Sequence, residues 1–230
     1  MSPDEIQARI LYKDQDVIVL DKPAGLAVHA GPNSPDHLEL YLDALKYGWS
    51  QVPRLAHRLD RDTSGCLLLG RHDKSIKRLG KMFMQGRIEK AYWTVVHGGP
   101  AADQGVVDAP ILKITGKGGW RIVIDPAGQP AVTQWRVLGR GDGLTWIECV
   151  PKTGRTHQIR VHMKHLGCPV RGDCYYGPDP SPGQMLHLQS HSIGVPPLSA
   201  GKDWIRVAAP VPAHMMAALS ACGYIQAGFS

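Results

Sequence analysis

The residue types that can do chemistry are densest in one short segment, HRLDRDTSG, at residues 57–65. The segment lies directly before CLLLGR, a short apolar run that is typical of a buried strand. Asp60 sits between two arginines, and neighbouring positive charge should keep its carboxylate ionised. Such a carboxylate can serve as a nucleophile or as a base. The alternative is a salt-bridged loop in which Asp62 and Thr63 form a turn.

A second group of polar residues, KTGRTHQIRVH, covers residues 152–162. A helix that begins at Thr156 would place His157, Arg160 and Lys164 on one face, because residues three, four and seven positions apart are neighbours on a helix surface. That face would present a row of hydrogen-bond donors to an anion. A solvated basic face is the alternative.

The charge balance of the chain also indicates an anionic ligand. The chain of 230 residues has 26 basic and 20 acidic side chains, for a formal net charge of +6. Residues 1–46 hold eight acids and four bases, so the basic excess lies in the rest of the chain. A predicted helix over 74–85 adds Lys77, Arg78 and Lys81 to a surface suited to phosphates, although a merely solvated face would look the same. A basic body favours a polyanionic partner, most simply nucleic acid.

The elements that must position these groups are mainly strands. Residues 10–20 predict a strand pair, and further strands are predicted at CLLLGR, at AYWTVVHG and throughout 106–150. GRGDG reads as the turn of a hairpin in the last of these stretches.

Helices are predicted at four places between the strands. A stripe of leucines and Tyr41 over 38–45 predicts the first, with Asn33 or Ser34 as its cap. The helix over 74–85 should bury Ile76, Leu79 and Phe83 and end at Gly86. THQIRVHMKHLG should end at Gly167, and a last helix is expected near 212–220.

Strands dominate, so the predicted fold class is α+β, with a mixed, mostly antiparallel central sheet flanked by helices and loops. No linker divides the chain, and we expect one domain over 1–230. No run of 18 apolar residues is present, which argues against a membrane-spanning helix, and the first residues do not resemble a secretory signal. The five cysteines form no CxxC, which favours reduced thiols and a cytoplasmic protein.

Five segments together resemble the RluA-type pseudouridine synthases, which isomerise uridine in structured RNA. HRLDRDTSG is similar to the central motif of that family. LDKPAGLAVHAGP, RIEKAYWTVVHG, TGRTHQIRVHMKHLGCPVRGDCYYG, and LHLQSHSI with WIRVAAPVP are similar to its other signatures. They occur in the order of the family and cover about residues 10 to 214.

The resemblance implies roles for individual residues. Asp60 aligns with the essential aspartate, which attacks the sugar or the base or assists glycal formation. Tyr92 aligns with the active-site tyrosine, whose ring can stack on uracil. Arg160 aligns with the arginine that pairs with the catalytic aspartate, and Val161 with the apolar wall against the base. Arg58 matches the arginine that fills the space left by the extruded uridine.

The resemblance also implies the ligands. It implies ribosomal or transfer RNA as the substrate, no metal and no cofactor. Arg155 and His157 are expected to bind the substrate together with the lysines of the helix over 74–85. His57 is expected to have a structural role. Only 20 residues precede the DKPAG segment, so we expect a catalytic domain without the S4-type domain of many relatives. Because one chain contains all the expected active-site residues, we also expect a monomer.

Other functions fit less well. A zinc site at His162, His165, Cys168 and Cys174 matches no usual ligand spacing. A kinase would require a glycine-rich loop and a DFG segment, and neither is present. A metal-dependent nuclease would require clustered acids, whereas Asp60 has arginines around it. A non-catalytic RNA-binding protein is the serious alternative, and it would not require Asp60, Tyr92 and Arg160 together.

Overall fold

The computed structural model describes residues 1–31, 34–116, 119–178 and 183–226. The chain divides into two compact units. The first consists of Met1–Lys90 and Gln189–Pro210, and the second consists of Ala91–Leu188 and Val211–Ser230. No helix in the described ranges is long and apolar enough to cross a membrane.

The strands occupy nearly all the positions that the sequence predicts. In chain order they are β1 (Ile10–Lys13), β2 (Val17–Lys22), β3 (Arg54–Leu55), β4 (Ser64–Gly70), β5 (Glu89–His97), β6 (Gln104–Asp108), β7 (Ile111–Gly116), β8 (Gly119–Ile124), β9 (Val132–Gly141), β10 (Leu144–Pro151), β11 (Leu188–Val195) and β12 (Ile205–Ala208).

The helices are α1 (Pro3–Gln7), a 3-10 helix (Leu38–Leu45), α2 (Asp73–Met84), α3 (Gln158–His165) and α4 (Ala213–Ala221). The sequence did not predict α1, which begins with a capping box of Ser2 and Glu5. Gly86 and Gly167 follow α2 and α3 with positive φ, as predicted for residues that end a helix.

The first predicted helix is a 3-10 helix whose cap differs from the prediction. Its N-cap is His37, which makes no side-chain capping bond. Ser34 instead forms a bridge with Gly31, because the following proline favours extended backbone at that position. Asn33, the other predicted cap, lies outside the described residues. Leu38, Leu42 and Leu45 are buried, so the predicted apolar face is correct.

The first unit is a sheet with α2 packed on it. β2 pairs antiparallel with β1 and β4, β3 pairs antiparallel with β4, and β12 with β11. β4 and β11 form a parallel pair. The core consists of alternate strand residues together with Leu79 and Met82 of α2. Leu79 is buried as predicted, whereas Ile76 and Phe83 are only partly buried, because the buried face of α2 is turned toward Ser75 and Met82.

The second unit is an antiparallel sheet with helices on both faces. The pairs are β5–β10, β10–β9 and β9–β6, and β7 with β8 forms a separate hairpin. Val96 packs in the same cluster as Ile159 and Met163 of α3, whereas its neighbour Val95 packs with α4. Successive strand residues point to opposite faces, which explains this division. The two units confirm the predicted α+β class.

The predicted hairpin turn at GRGDG is confirmed. β9 ends at Gly141 and β10 begins at Leu144. Asp142 and Gly143 both have positive φ, which is the backbone of a type I′ turn.

Candidate active site

A buried lysine connects the Asp60 segment to the DKPAG segment in the first unit. The Lys22 side chain is inaccessible to solvent, and its ammonium donates to the carbonyl oxygens of Pro23 at 2.8 Å, Leu26 at 2.8 Å and Arg61 at 2.9 Å. Gly25 and Arg61 add two more bonds, from Gly25 N to Arg61 O and from Arg61 Nε to Gly25 O. Two of the segments that carry the family resemblance are therefore held as one structure.

The charge of Lys22 is balanced between burial and nearby carboxylates. Burial lowers the pKa of Lys22 to about 7, while Asp62, Asp60 and Asp21 oppose that shift. Its three carbonyl acceptors match the three N–H groups of an ammonium. In its protonated form Lys22 therefore supplies a cation beside the Asp60 loop that solvent does not reach.

His57 is structural, as the sequence predicts. Its Nε2 accepts the N–H of Leu68 on β4 at 3.0 Å, and its ring lies 5.0 Å from the Phe83 ring. Burial and, to a smaller extent, the charge of Lys90 lower the pKa of His57 to about 3, so the ring is neutral near pH 7. A neutral ring with Nε2 as acceptor can therefore connect the Asp60 loop to β4 through the hydrogen bond from Leu68.

The predicted substrate-binding residues of the first unit differ in their exposure to solvent. Arg58, Lys77 and Lys81 are exposed. Arg78 is half-buried, and its Nη1 donates to the carbonyl of Leu198 at 2.6 Å. Arg78 therefore fastens the segment before β12, a structural contact that the sequence did not predict.

Arg160 is buried in the second unit and held by a residue that the sequence analysis did not single out. Its Nε and Nη2 donate to the two carboxylate oxygens of Asp173, each at 2.7 Å. Asp173 also accepts the N–H groups of Tyr175 at 2.9 Å and Tyr176 at 3.0 Å. The guanidinium is therefore fixed in direction by a bidentate, charge-assisted pair.

The predicted row of donors is correct only in part. His157, Arg160 and Lys164 all contact Tyr176, but they do not form one row open to solvent. α3 begins at Gln158 rather than Thr156, and His157 precedes it in the left-handed conformation, with φ of 54°. Arg160 is 2% exposed, whereas Lys164 is exposed, so these groups do not share a solvated face. The physical reason is that Arg160 points to Asp173 in the interior.

His157 belongs instead to an aromatic cluster. Its Nδ1 lies 2.8 Å from the Tyr176 hydroxyl, and the Trp120 and Tyr175 rings lie 5.2 and 5.5 Å from its own. Trp120 and Tyr175 are 39% and 54% exposed, which leaves aromatic surface open to a ligand. The Tyr176 hydroxyl accepts the N–H of Ile122, which fastens the β7–β8 hairpin to the cluster.

The remaining predicted residues of the second unit occupy three different environments. Tyr92 is half-buried on β5 and packs against the core. Val161 is 4% exposed and packs in a cluster with the β7–β8 hairpin and Tyr176. Arg155 is exposed, and its Nε donates to the carbonyl of Pro130 at 3.3 Å.

The residues considered for zinc have other contacts. His162 is buried, with Nδ1 2.8 Å from the Thr133 hydroxyl and Nε2 3.1 Å from the Ala109 carbonyl. Within the described ranges, no group of three or more His, Cys, Asp or Glu residues could hold a metal ion.

The structure thus places the predicted site residues in two sets. Asp60, Arg58 and the α2 cations belong to the first unit, whereas Tyr92, Arg155, His157, Arg160 and Val161 belong to the second. The pairing of Asp60 with Arg160 stays a prediction. Sequence reasoning missed Lys22, Asp173 and Trp120 as site residues, although Lys22 and Asp173 lie inside segments that carry the resemblance.

The fold is that of the pseudouridylate synthase domains. The solved structure of human RNA pseudouridylate synthase domain-containing protein 4 matches with a TM-score of 0.79 and 26% identity, over 96% of this chain and 95% of that one.

Sequence comparison narrows the class to a family. The model of the RNA pseudouridylate synthase family matches residues 16–165. An uncharacterised RNA pseudouridine synthase of Zymomonas mobilis is 43% identical over 89% of this chain and 94% of its own length. The ribosomal large subunit pseudouridine synthase D of Nitrosomonas europaea is 37% identical over 95% of this chain, which spans 66% of that relative.

The chain belongs to the RNA pseudouridine synthase family, whose members are isomerases. The resemblance to RluA-type enzymes is therefore confirmed.

Proposed function

We propose that this protein isomerises specific uridines to pseudouridine in structured RNA, with Asp60 as the catalytic carboxylate. The observation that carries the proposal is the Asp60 loop, which is anchored to the buried ammonium of Lys22 through the carbonyl of Arg61. The anchor ties the loop to the DKPAG segment and, when Lys22 is protonated, places a cation near Asp60. A fixed carboxylate beside a glycosidic bond has a chemical parallel in glycoside hydrolysis.

Ribosomal RNA is the favoured substrate, with transfer RNA as the second choice. The relatives from Nitrosomonas europaea and Vibrio cholerae are named as synthases of the large ribosomal subunit. The exposed cations of α2 and Arg155 suit the phosphates of such an RNA. We further propose that the protein acts as a monomer in the cytoplasm.

The proposed reaction leaves the atomic composition of the RNA unchanged. The N1–C1′ bond of uridine breaks, the base turns, and a C5–C1′ bond forms. The proton on C5 leaves and N1 gains one, so the product is an isomer of the substrate. Asp60 acts on the sugar, acts on the base or assists a glycal intermediate, and Tyr92 supplies a ring for the uracil and a hydroxyl for the C5 proton.

Arg160 has the capacity to orient Asp60. A guanidinium has five N–H groups, and two of those on Arg160 go to Asp173. The family resemblance implies that the same guanidinium also pairs with Asp60. In this proposal Asp173 is a positioning residue that acts through Arg160.

The test begins with pseudouridine mapping in total RNA from cells with and without the gene. The purified chain is then assayed on the RNA that loses a modification. We expect Asp60→Asn to remove all detectable pseudouridine while RNA binding persists, because an amide is neither a nucleophile nor a useful base. Asp62→Asn is the matched control in the same loop and should retain most activity.

Two outcomes would overturn the proposal. Substantial turnover by folded Asp60→Asn would remove Asp60 from the mechanism. Tight RNA binding by the wild type without any pseudouridine would favour a non-catalytic RNA-binding protein. Activity in the presence of EDTA would separate the isomerase from a metal-dependent nuclease.

A further inference from the structure

A second concave surface lies at the end of the first unit away from the Asp60 loop. Its principal lining residues are Lys13, Trp49, Arg71, Lys202, Trp204 and Arg206. We call it the aromatic-basic pocket. Arg71 directly follows the last residue of β4, whereas Asp60 precedes the first, and β4 itself spans roughly 20 Å. The motifs that carry the family resemblance do not account for this surface.

Two tryptophans expose large aromatic surface in the pocket. Trp49 is 40% exposed and Trp204 is 43% exposed. The guanidinium of Arg71 lies 4.9 Å from the Trp49 ring, and that of Arg206 lies 4.7 Å from the Trp204 ring. The His72 ring stacks with Trp49 at 5.9 Å. These contacts fix the orientation of both rings and leave part of each open to a ligand.

Hydrogen bonds and ion pairs hold two of the basic side chains that line the pocket. Arg71 is 5% exposed and donates to the carbonyls of Asp14 at 2.6 Å and Lys46 at 3.2 Å. Lys202 pairs with Asp16 at 2.6 Å and with Asp14 at 3.4 Å. These side chains are already ordered in the free protein, so they lose little further conformational entropy when a ligand binds.

The composition of the pocket favours a nucleotide over a protein partner. Four basic side chains line it, together with the two acids Asp14 and Asp203. Of the four, Lys202 pairs with Asp14 and Asp16, and Arg206 pairs with Glu89. Its aliphatic residues, Leu198 and Ile205, are only 5% and 8% exposed, so rings and charges make up the accessible surface. Proteins bind single-stranded nucleic acid with this combination, because bases stack on aromatic rings while cations contact the backbone.

We propose that the aromatic-basic pocket binds an unpaired nucleotide of RNA at a distance from the uridine that reacts. The base lies against Trp49 or Trp204, and Lys13 contacts an adjoining phosphate. The inference rests on the proposed function for the identity of the RNA, since the pocket would hold a flanking single-stranded part of the substrate.

The test measures binding of a labelled oligoadenylate of about ten nucleotides, close to the usual site size for such proteins. The probe contains no uridine, so binding does not depend on isomerisation. We expect the full chain carrying Trp49→Ala and Trp204→Ala to bind the probe about tenfold or more weakly, as for the loss of base stacking. Trp49→Phe with Trp204→Phe should retain most of the affinity, because phenylalanine keeps a stacking face.

Leu40→Ala is the control for loss of an exposed apolar side chain, because Leu40 is 59% exposed in the same unit and lies outside the pocket. It should bind the probe as the wild type does. Thermal melts of all variants confirm that they are folded.

Three results would overturn the inference. In the first, the alanine variant binds the probe as tightly as the wild type. In the second, the alanine and phenylalanine variants lose the same affinity. In the third, sedimentation velocity shows a dimer that depends on the two tryptophans. Pseudouridine formation by the same proteins separates the two proposals. If the protein forms pseudouridine but its affinity for the probe is unchanged by the tryptophan substitutions, only the pocket proposal is contradicted. If it forms no pseudouridine but its affinity for the probe depends on the tryptophans, only the proposed function is contradicted.

Discussion

Lys22 contributes both to the stability of the folded chain and to the position of the Asp60 loop. It donates to three carbonyls from two segments, and the burial that makes those bonds strong also disfavours its charge. Burial lowers the pKa of Lys22 from 10.5 to about 7 in the folded chain. In the unfolded chain the side chain titrates near its ordinary value.

This difference predicts a pH dependence of stability. Between pH 7 and 10.5 the unfolded chain binds more protons at this residue, so the contribution of Lys22 to the free energy of unfolding rises with pH across that window. We expect the wild type to gain stability relative to Lys22→Met as pH rises from 7 to about 9.5. Urea denaturation over this range measures the difference. Lys74→Met, at an exposed lysine, should give curves parallel to the wild type, and parallel curves for Lys22→Met would contradict the shift.

The Arg160–Asp173 pair is a second case in which one residue depends on another. Both side chains are buried, at 2% and 0% exposure. Removing the cation alone leaves a buried carboxylate without its partner, so Arg160→Met should lower the free energy of unfolding by about 3–5 kcal/mol. Chemical denaturation of Arg160→Met, Asp173→Asn and the double variant tests this. The double variant should lose less than the sum of the single losses, and additive losses would show that the pair is not coupled.

At the scale of elements, Gly65 determines how β4 meets β11. Its φ is +98°, and a Cβ at this position would overlap the carbonyl oxygen of Ser190 on β11. No flexible side chain can move to relieve that overlap, because the obstructing atom is backbone. The glycine of HRLDRDTSG is therefore required by the parallel strand pair that follows the Asp60 loop.

Gly65→Ala should destabilise the chain by about 3 kcal/mol or more, from backbone strain and overlap together. Gly80→Ala is the matched control, because Gly80 lies within α2 and has nothing within 4 Å of an added Cβ. Alanine there should stabilise by about 0.5–1 kcal/mol through helix propensity. Thermal or urea unfolding measures both, and equal effects of the two changes would refute the argument.

The exposed lysines of α2 provide a test of the predicted RNA surface. If Lys77 and Lys81 contact phosphates, replacing both by glutamine should weaken RNA binding and flatten its salt dependence, by roughly one unit of slope for each lost contact. Titrations of one RNA at several salt concentrations measure the slope. Arg78→Gln should mainly lower the melting temperature, since Arg78 bonds to the Leu198 carbonyl. An unchanged slope for the lysine variant would show a merely solvated face.

At the scale of the whole molecule, each compact unit has its own hydrophobic core. The chain passes between them three times. Two of the crossings, at Lys90–Ala91 and at Leu188–Gln189, lie within β5 and β11, and the third, at Pro210–Val211, lies in the short proline-containing segment between β12 and α4. Flexible linkers are the usual boundaries of independent domains. We therefore propose that the chain unfolds as the single domain predicted from its sequence.

Differential scanning calorimetry tests that proposal. We expect one transition whose calorimetric enthalpy equals the van't Hoff enthalpy. Gly65→Ala should shift the whole transition to lower temperature without splitting it. Two resolved transitions, of which Gly65→Ala moves only one, would show two independently folding domains.

Most of the strands could be predicted because their signal is local. Alternating or continuous apolar runs between turn residues specify β4, β5 and the hairpin of β9 and β10 without knowledge of any partner. Helix boundaries were less certain, since His37 and His72 cap helices although histidine is not a preferred cap residue.

The sequence by itself determined the α+β class, the motif around Asp60 and, through resemblance, the family. Only the tertiary structure decided that Lys22 anchors the Asp60 loop, that Asp173 holds Arg160, and that Trp49 and Trp204 share a pocket. Lys202 and Asp16, which pair at that pocket, are 186 positions apart. The physical reason is that all of these contacts join residues that are distant in sequence. The packing of strands and loops brings such residues together, and no local sequence pattern specifies which of them will meet.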